Sequence, residues 1–195
     1  ESSWGLTGDV TARSSNWRLR LGAFGNQIRD LISIDFAPIQ RTAGVIDYVY
    51  RNVERARTAG GDLSARYKPL PAISLDAAYA YLWTRDDTTS DPLPNRPAHT
   101  VTLAALWEHD NLSATLRCRI VSSAFAGKID EITRNSPSFG LLDARVAYQL
   151  WPSLSVFVGA LNLTDSRRRP LEVTGTRPAL GRQFYLGITG EAHSN

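Results

Sequence analysis

Leu112-Ser113-Ala114-Thr115-Leu116-Arg117-Cys118-Arg119-Ile120-Val121 is the stretch whose reading decides the fold. Leu112, Ala114, Leu116, Cys118 and Ile120 fall on one side of an extended chain. Ser113, Thr115, Arg117 and Arg119 fall on the other. A period of two marks a strand whose faces meet two different solvents. In a sandwich the polar face meets bulk water; in a large barrel it meets a wet, charged lumen. This stretch alone fits both.

The same pattern recurs along the chain. Ile73, Leu75, Ala77, Tyr79 and Tyr81 oppose Ser74 and Asp76. Leu142, Ala144, Val146, Tyr148 and Leu150 oppose Asp143, Arg145 and Gln149. Val101, Leu103, Ala105 and Trp107 form another apolar row, and Phe184, Leu186 and Ile188 a last one. Roughly nine strands are predicted, over 3–13, 16–36, 45–67, 71–84, 98–108, 111–123, 139–150, 153–164 and 181–190. Several exceed the five or six residues usual in soluble sheets. No long segment sustains a helical period.

The connections separate barrel from sandwich. Short ones fall at Ser14-Ser15-Asn16, Lys68 to Ala72, His109-Asp110 and Pro152-Ser153. Long ones fall at 37–44, 85–97, 125–137 and 165–179. They alternate, so every long loop lies at one end, as in an outer-membrane barrel with tight periplasmic turns and long outer loops. Trp17, Tyr67, Trp107, Tyr148 and Trp151 sit beside the short turns, while Tyr48, Tyr50, Tyr81 and Trp83 sit toward the long loops. Two aromatic belts at the membrane–water boundaries have this arrangement.

Composition narrows the function. The 195 residues are 43% hydrophobic and 21% charged, with no Met and one Cys, so Cys118 has no internal disulfide partner. No apolar run reaches the ~18 residues of a transmembrane helix. The basic balance, a net charge of +3, comes from arginines scattered along strands, without the basic stripe or aromatic motif of a nucleic-acid reader. A P-loop, HExxH, CxxC or Ser-His-Asp constellation is not found, and His99, His109 and His193 are scattered. No catalytic residue, metal site or cofactor is expected. The chain opens almost directly in a strand pattern at Trp4, Leu6 and Val10, which gives the expectation of further sequence upstream.

The motifs point to a family. Val158-Gly159-Ala160-Leu161-Asn162-Leu163-Thr164-Asp165, a variable loop, then Gly181-Arg182-Gln183-Phe184-Tyr185-Leu186-Gly187-Ile188 resembles the end of the barrel of TonB-dependent outer-membrane receptors. Phe24-Gly25-Asn26-Gln27-Ile28-Arg29-Asp30-Leu31-Ile32 is similar to an earlier strand of that family. Tyr50-Arg51-Asn52-Val53-Glu54-Arg55-Ala56 followed by Gly60-Gly61-Asp62 is similar to the next one, with Asp62 standing for a Glu. Tyr79-Ala80-Tyr81-Leu82 and Arg96-Pro97-Ala98-His99 follow in order. The final Gly190-Glu191-Ala192-His193-Ser194-Asn195 departs from the terminal aromatic usual there.

The resemblance implies an all-β, antiparallel transmembrane barrel, of which residues 1–195 supply the last nine or so of about 22 strands around a plugged lumen. It implies an energy-coupled receptor for a scarce nutrient, a ferric siderophore being the best guess. Its partners would be the plug and earlier strands, the TonB complex, and outer-membrane lipid. Asn52, Asn162, Leu163, Asp165, Gly181, Arg182 and Phe184 are then structural motif residues. Ligand contacts are expected from the outer loops, with Arg85, Asp86, Asp87, Asp91, Arg96, Lys128, Arg134, Arg167, Arg168, Arg169 and Arg177 as candidates. Arginines suit anionic chelates because they bind carboxylates through two hydrogen bonds. The rival readings are a passive porin or small barrel, an outer-membrane enzyme, and a soluble sandwich.

Overall fold

A computed structural model describes residues 2–35, 49–129, 132–167 and 181–190, with side chains at all but 33–35, 49–54 and 129 of these. The strands are β1 (Ser2–Arg13), β2 (Trp17–Asp35), β3 (Val49–Leu70), β4 (Ile73–Asp86), β5 (His99–His109), β6 (Leu112–Val121), β7 (Ala124–Ile129), β8 (Ile132–Ser136), β9 (Phe139–Trp151), β10 (Leu154–Leu161) and β11 (Gln183–Gly190). Nine of them make one antiparallel sheet in the order β1-β2-β3-β4-β5-β6-β9-β10-β11, and β7 with β8 forms a separate hairpin. Strands adjacent in the sheet follow one another along the chain, apart from the inserted hairpin. Among the described residues, β1 and β11 each pair on one side only.

The nine expected strands are the nine of the sheet, with shifted ends. β3 runs to Leu70 through an irregularity between Tyr67 and Leu70, so the turn narrows to Pro71-Ala72. β4 runs on to Asp86, which places Arg85 and Asp86 in a strand rather than a loop. The expected loop 125–137 holds the β7–β8 hairpin, kinked at Gly127, whose φ is 138°. The long loop at 37–44 lies outside the described residues.

Register turns alternation into two continuous faces. Leu19 pairs with Ala65, which pairs with Ala77, which pairs with Leu103. Leu103 pairs with Cys118, and Cys118 with Leu142. The row continues at the far edge through Val146, Val158 and Leu186. Apolar side chains thus lie beside apolar side chains across the whole sheet, and the large ones are exposed, Leu186 at 84%. The buried apolar set is Ala56, Leu93, Val121, Ala124, Ala126 and Ala160. A soluble sandwich would bury one full face of such a sheet. Here the apolar face stays open, with Leu6, Leu21, Val158 and Leu186 all exposed, whereas soluble monomers rarely expose large contiguous apolar patches. Trp17, Tyr67, Trp107, Tyr148 and Trp151 are exposed near the short turns, and Tyr79, Tyr81 and Trp83 near the long loops. Tyr48 lies outside the described residues, and only the backbone of Tyr50 is described.

The other face carries charge. Asp9 pairs with Arg20 at 3.4 Å, Arg20 approaches Asp62 at 4.0 Å, and Arg66 pairs with Asp76 at 2.6 Å. Near the last strands the packing is aromatic on glycine. Phe157 lies over Gly187, and Tyr185 over Gly159, each pair directly opposite in register. The two rings meet edge to face at 6.1 Å, and the Arg145 guanidinium lies 4.2 Å from the Phe157 centroid. Glycine is required at both positions because any Cβ would enter the opposing ring.

Gly187→Val is expected to cost about 1–3 kcal/mol through forced repacking of Phe157. Gly140→Ala, where a Cβ would meet nothing closer than 3.9 Å, should leave the denaturant midpoint of the intact protein unchanged. Equal midpoints for the two variants would refute the ring-on-glycine packing.

Candidate functional site

The long-loop end is tied together by the segment between β4 and β5. Its turn is built on Asp86, 2% exposed, whose Oδ1 accepts hydrogen bonds from the Thr88 N–H at 2.8 Å and the Thr89 N–H at 3.4 Å. Short polar side chains that bond their own backbone in this way set turns. The segment then folds back over the polar face. Leu93 is buried against Ala56, with Ile28 and Leu31 beside it, and its N–H donates to Thr84 Oγ1 at 3.0 Å. Ala56 and Ile28 are direct register partners, and Ala56 also pairs with Asp86, so Leu93 anchors the loop on the polar side.

The β7–β8 hairpin docks on this anchor. The Asn95 N–H donates to the Phe125 carbonyl at 2.7 Å, and Lys128 Nζ meets Asp91 Oδ2 at 2.8 Å. Asn95 Oδ1 is buried without a hydrogen-bond partner among the described residues. Asp87 accepts two hydrogen bonds on Oδ1 from Arg57, at 2.9 Å from Nε and 2.6 Å from Nη2.

These contacts divide the candidates. Asp86, Asp87 and Asp91 are engaged in holding the loop. Lys128 is neutralised by Asp91, and Arg167 Nε by Asp165 at 3.1 Å. Arg85 projects from the apolar side of β4, opposite Arg57, and Nη2 donates to Ser90 Oγ at 3.0 Å. Arg96 and Arg134 are exposed and have no carboxylate partner among the described residues. They lie on either side of β7, since Asn95 bonds Phe125 and Arg134 pairs with Gly127. Arg168, Arg169 and Arg177 lie outside the described residues. Arg57, Thr84, Leu93 and Asn95 were not singled out from sequence. The signal for Leu93 was present: it is the lone large apolar residue of Asp91-Pro92-Leu93-Pro94, a place where only burial explains it.

The motif residues form a clasp. Asn162 has φ 52° and is 5% exposed. Its N–H donates to Asp143 Oδ1 at 2.9 Å, its Nδ2 to the Ser166 carbonyl at 3.0 Å, and its Oδ1 accepts from the Ser166 N–H at 3.0 Å. The Leu163 N–H donates to the Leu142 carbonyl at 2.7 Å. Asp165 Oδ1 accepts the Arg182 N–H at 2.9 Å and so ties the exit of β10 to the entry of β11. A Cβ on Gly181 would press on Asp165 and Arg167 at 3.1 Å. Phe184 lies exposed on the apolar face, opposite Ala160. Of Asn52 only the backbone is described, paired with Ile32. The Asp165 carboxyl is held below its ordinary 3.8, first by the Arg182 backbone N–H and then by the Arg167 side chain.

Residues 1–163 match the family described as TonB dependent receptor-like, beta-barrel. A search among curated proteins finds no match. Among solved structures, the copper transporter OprC aligns with a TM-score of 0.78 at 20% identity, over 96% of this chain and 31% of that one. The siderophore receptor PirA from Acinetobacter baumannii gives 0.77 at 16% identity, over 96% and 31%. A mutant of the ferric enterobactin receptor of Pseudomonas aeruginosa gives 0.76 at 18% identity, again over 96% and 31%. The chain therefore spans about a third of the length of these structures, and at such identities the likeness is one of fold.

Asn162→Ala is expected to destabilise by about 1–3 kcal/mol, from the left-handed backbone and the lost bonds. Asn162→Gly, which accepts that backbone, should lose less, and equal losses would refute the strain part. A carboxylate with a lowered folded value stabilises above its ordinary value and loses that contribution as pH falls through the folded one. Acid should thus weaken the hold of Asp165 on the Arg182 N–H, read as faster exchange of that amide beyond its intrinsic pH dependence, and Asp165→Ala, which lacks the acceptor, should show the fast exchange at every pH.

Proposed function

The chain belongs to the family of TonB-dependent receptor β-barrels, and on that premise we propose that it forms the closing part of an outer-membrane receptor that takes up a scarce nutrient, an anionic ferric siderophore above all. The exposed apolar face is the lipid-facing wall, and the charged face lines the lumen. The short turns point to the periplasm and the long connections outward. The plug and the earlier strands complete the barrel, and the TonB complex supplies the energy by pulling on the plug. The role of this chain is positional: wall, outer loops and closure.

The observation that carries this reading is the assembled mouth. Leu93 draws the β4–β5 loop over the polar face, and the hairpin docks on that loop through Asn95 and Lys128. That arrangement holds Arg96 and Arg134 near the lumen without carboxylate partners among the described residues. Uncompensated arginines at the mouth favour a multiply charged anion, because charge-assisted hydrogen bonds are about twice as strong as neutral ones.

In the full-length receptor, Arg96→Glu with Arg134→Glu should weaken binding of anionic ferric chelates at least tenfold, which corresponds to the loss of one charged hydrogen bond of about 1.5 kcal/mol or more. A neutral chelate should be affected little. Uptake in cells should stop when TonB is deleted. Uptake that persists without TonB would replace this reading with a passive pore, and unchanged anion affinity would move the ligand away from these two arginines.

A further inference from the structure

The polar face treats its arginines in two ways. On β2 and β3, Arg20 lies 3.4 Å from Asp9 and 4.0 Å from Asp62, and Arg66 lies 2.6 Å from Asp76. Arg13 and Arg18 flank the first short turn. On β6 and β9, Arg117, Arg119 and Arg145 are exposed on the same face and form no ion pair among the described residues. Asp143 faces Arg117 directly in register, yet its Oδ1 accepts the Asn162 N–H at 2.9 Å and serves the clasp instead. Arg145 lies 4.2 Å from the Phe157 centroid, a contact that orients the guanidinium without removing its charge.

The spacing of the three is regular. Arg119 and Arg117 are two positions apart on one strand, and Arg145 pairs with Thr115, two positions further down. At the rise of an extended chain they stand about 7 Å apart in succession. The line begins at the end of β6 nearest the hairpin that carries Arg134, and it descends toward the short turn before Leu112. It ends in a polar cavity of about 440 Å³, lined by Arg145 with the hydroxyls of Ser113, Thr115 and Ser155. Glu108 and Asp110 line that cavity on the side of the short turn. Cations at this pitch repel one another, so an anion lying across them relieves the wall.

We propose that Arg119, Arg117 and Arg145 form an arginine ladder, a set of transit sites for a multiply charged anion between the mouth and the periplasm, open to water beside the plug. An anion whose carboxylates or phosphates are several ångströms apart bridges two rungs at once, because planar guanidinium groups take such groups through paired hydrogen bonds. It descends by exchanging one rung for the next. The cavity hydroxyls complete its shell at Arg145, and Glu108 and Asp110 repel it toward the periplasm. The proposal rests on the uptake reading above and adds sites that the mouth does not contain.

The test is arginine modification by phenylglyoxal in the full-length receptor, mapped by peptide mass spectrometry. Citrate is the anionic probe, and sodium chloride of equal ionic strength is its control. Arg117, Arg119 and Arg145 should react faster than the ion-paired Arg20 and Arg66. Citrate should slow them about tenfold more than chloride does, the scale of one charged hydrogen bond. Arg117→Gln should remove most of that protection from Arg119 and Arg145, because the shared anion loses its middle rung, and Arg119→Gln should do the same to Arg117. Heat-modifiable gel mobility checks that each variant barrel folds. Slow modification without citrate overturns the proposal, since carboxylates of the plug would then cover the ladder. Protection that chloride reproduces, or that both variants leave intact, overturns it too, because the arginines would then act singly. Anion uptake that continues without TonB defeats the uptake reading and leaves the labelling result standing. TonB-dependent anion uptake with citrate-insensitive labelling defeats the ladder alone.

Discussion

Between Ser2↔Arg29 and Arg13↔Arg18 the first two strands pair without a break, and β5 with β6 do the same from Thr100↔Val121 to His109↔Leu112. That unbroken ladder is what the rest of the molecule depends on. Each strand contributes side chains alternately to an apolar and a polar face, so a slip of one residue in any pairing would exchange them. The apolar row from Leu19 to Leu186 and the ion pairs of Asp9, Arg20, Asp62, Arg66 and Asp76 are two readouts of one register. The exposed ion pairs add little energy singly. They make the wrong register costly instead, because a slipped strand would turn its charges toward the apolar side.

Irregularities are confined to places where the register no longer has to be kept. β3 deviates beyond Tyr67 at the short turn, β10 between Leu154 and Ser155 at another, and β7 at Gly127 in the hairpin. Bulges of this kind are found at sheet rims and re-aim the chain. Asp30 is the instructive case. Arg29, the residue before it, stands opposite Arg55 on the apolar side, while Leu31, just after it, packs beside Leu93 at the mouth. One residue in left-handed backbone therefore separates the wall from the mouth.

The nine sheet strands were legible because alternation is a local signal, repeated over eight or more residues in each. The turn alternation was legible for the same reason, since Gly, Pro, Asn and Ser mark turns by their own chemistry. The β7–β8 hairpin was not. Ala124-Phe125-Ala126-Gly127-Lys128-Ile129 and Ile132-Thr133-Arg134-Asn135-Ser136 are short and bulged, and their pairing shows no clean period. The mouth was legible in composition and not in geometry. Asp86 and Asp91 read as ligand candidates of an outer loop, yet one is buried in a turn and the other holds Lys128. Which charges are already paired is decided by tertiary contacts between segments tens of residues apart. Arg57 and Asp87, thirty positions distant, are an example. The clasp at Asn162 lay between these extremes. Its residue types announced a turn, but its grip on Asp143 and Arg182 depended on neighbouring strands.

That clasp also separates two properties that a long connection would otherwise couple. Asp165 fixes where β11 begins by holding the Arg182 N–H, while Asn162 fixes where β10 ends. The two ends of the connection are thus fastened to each other before its middle is considered. Closure entropy grows only slowly with length, by about 0.6 kcal/mol per doubling. A chain fastened in this way can exchange the stretch between its anchors freely, in length and in chemistry, without disturbing the sheet. The connection after β10 is therefore a cassette position. It is a place where a foreign peptide could be inserted while the sheet beneath stays the same.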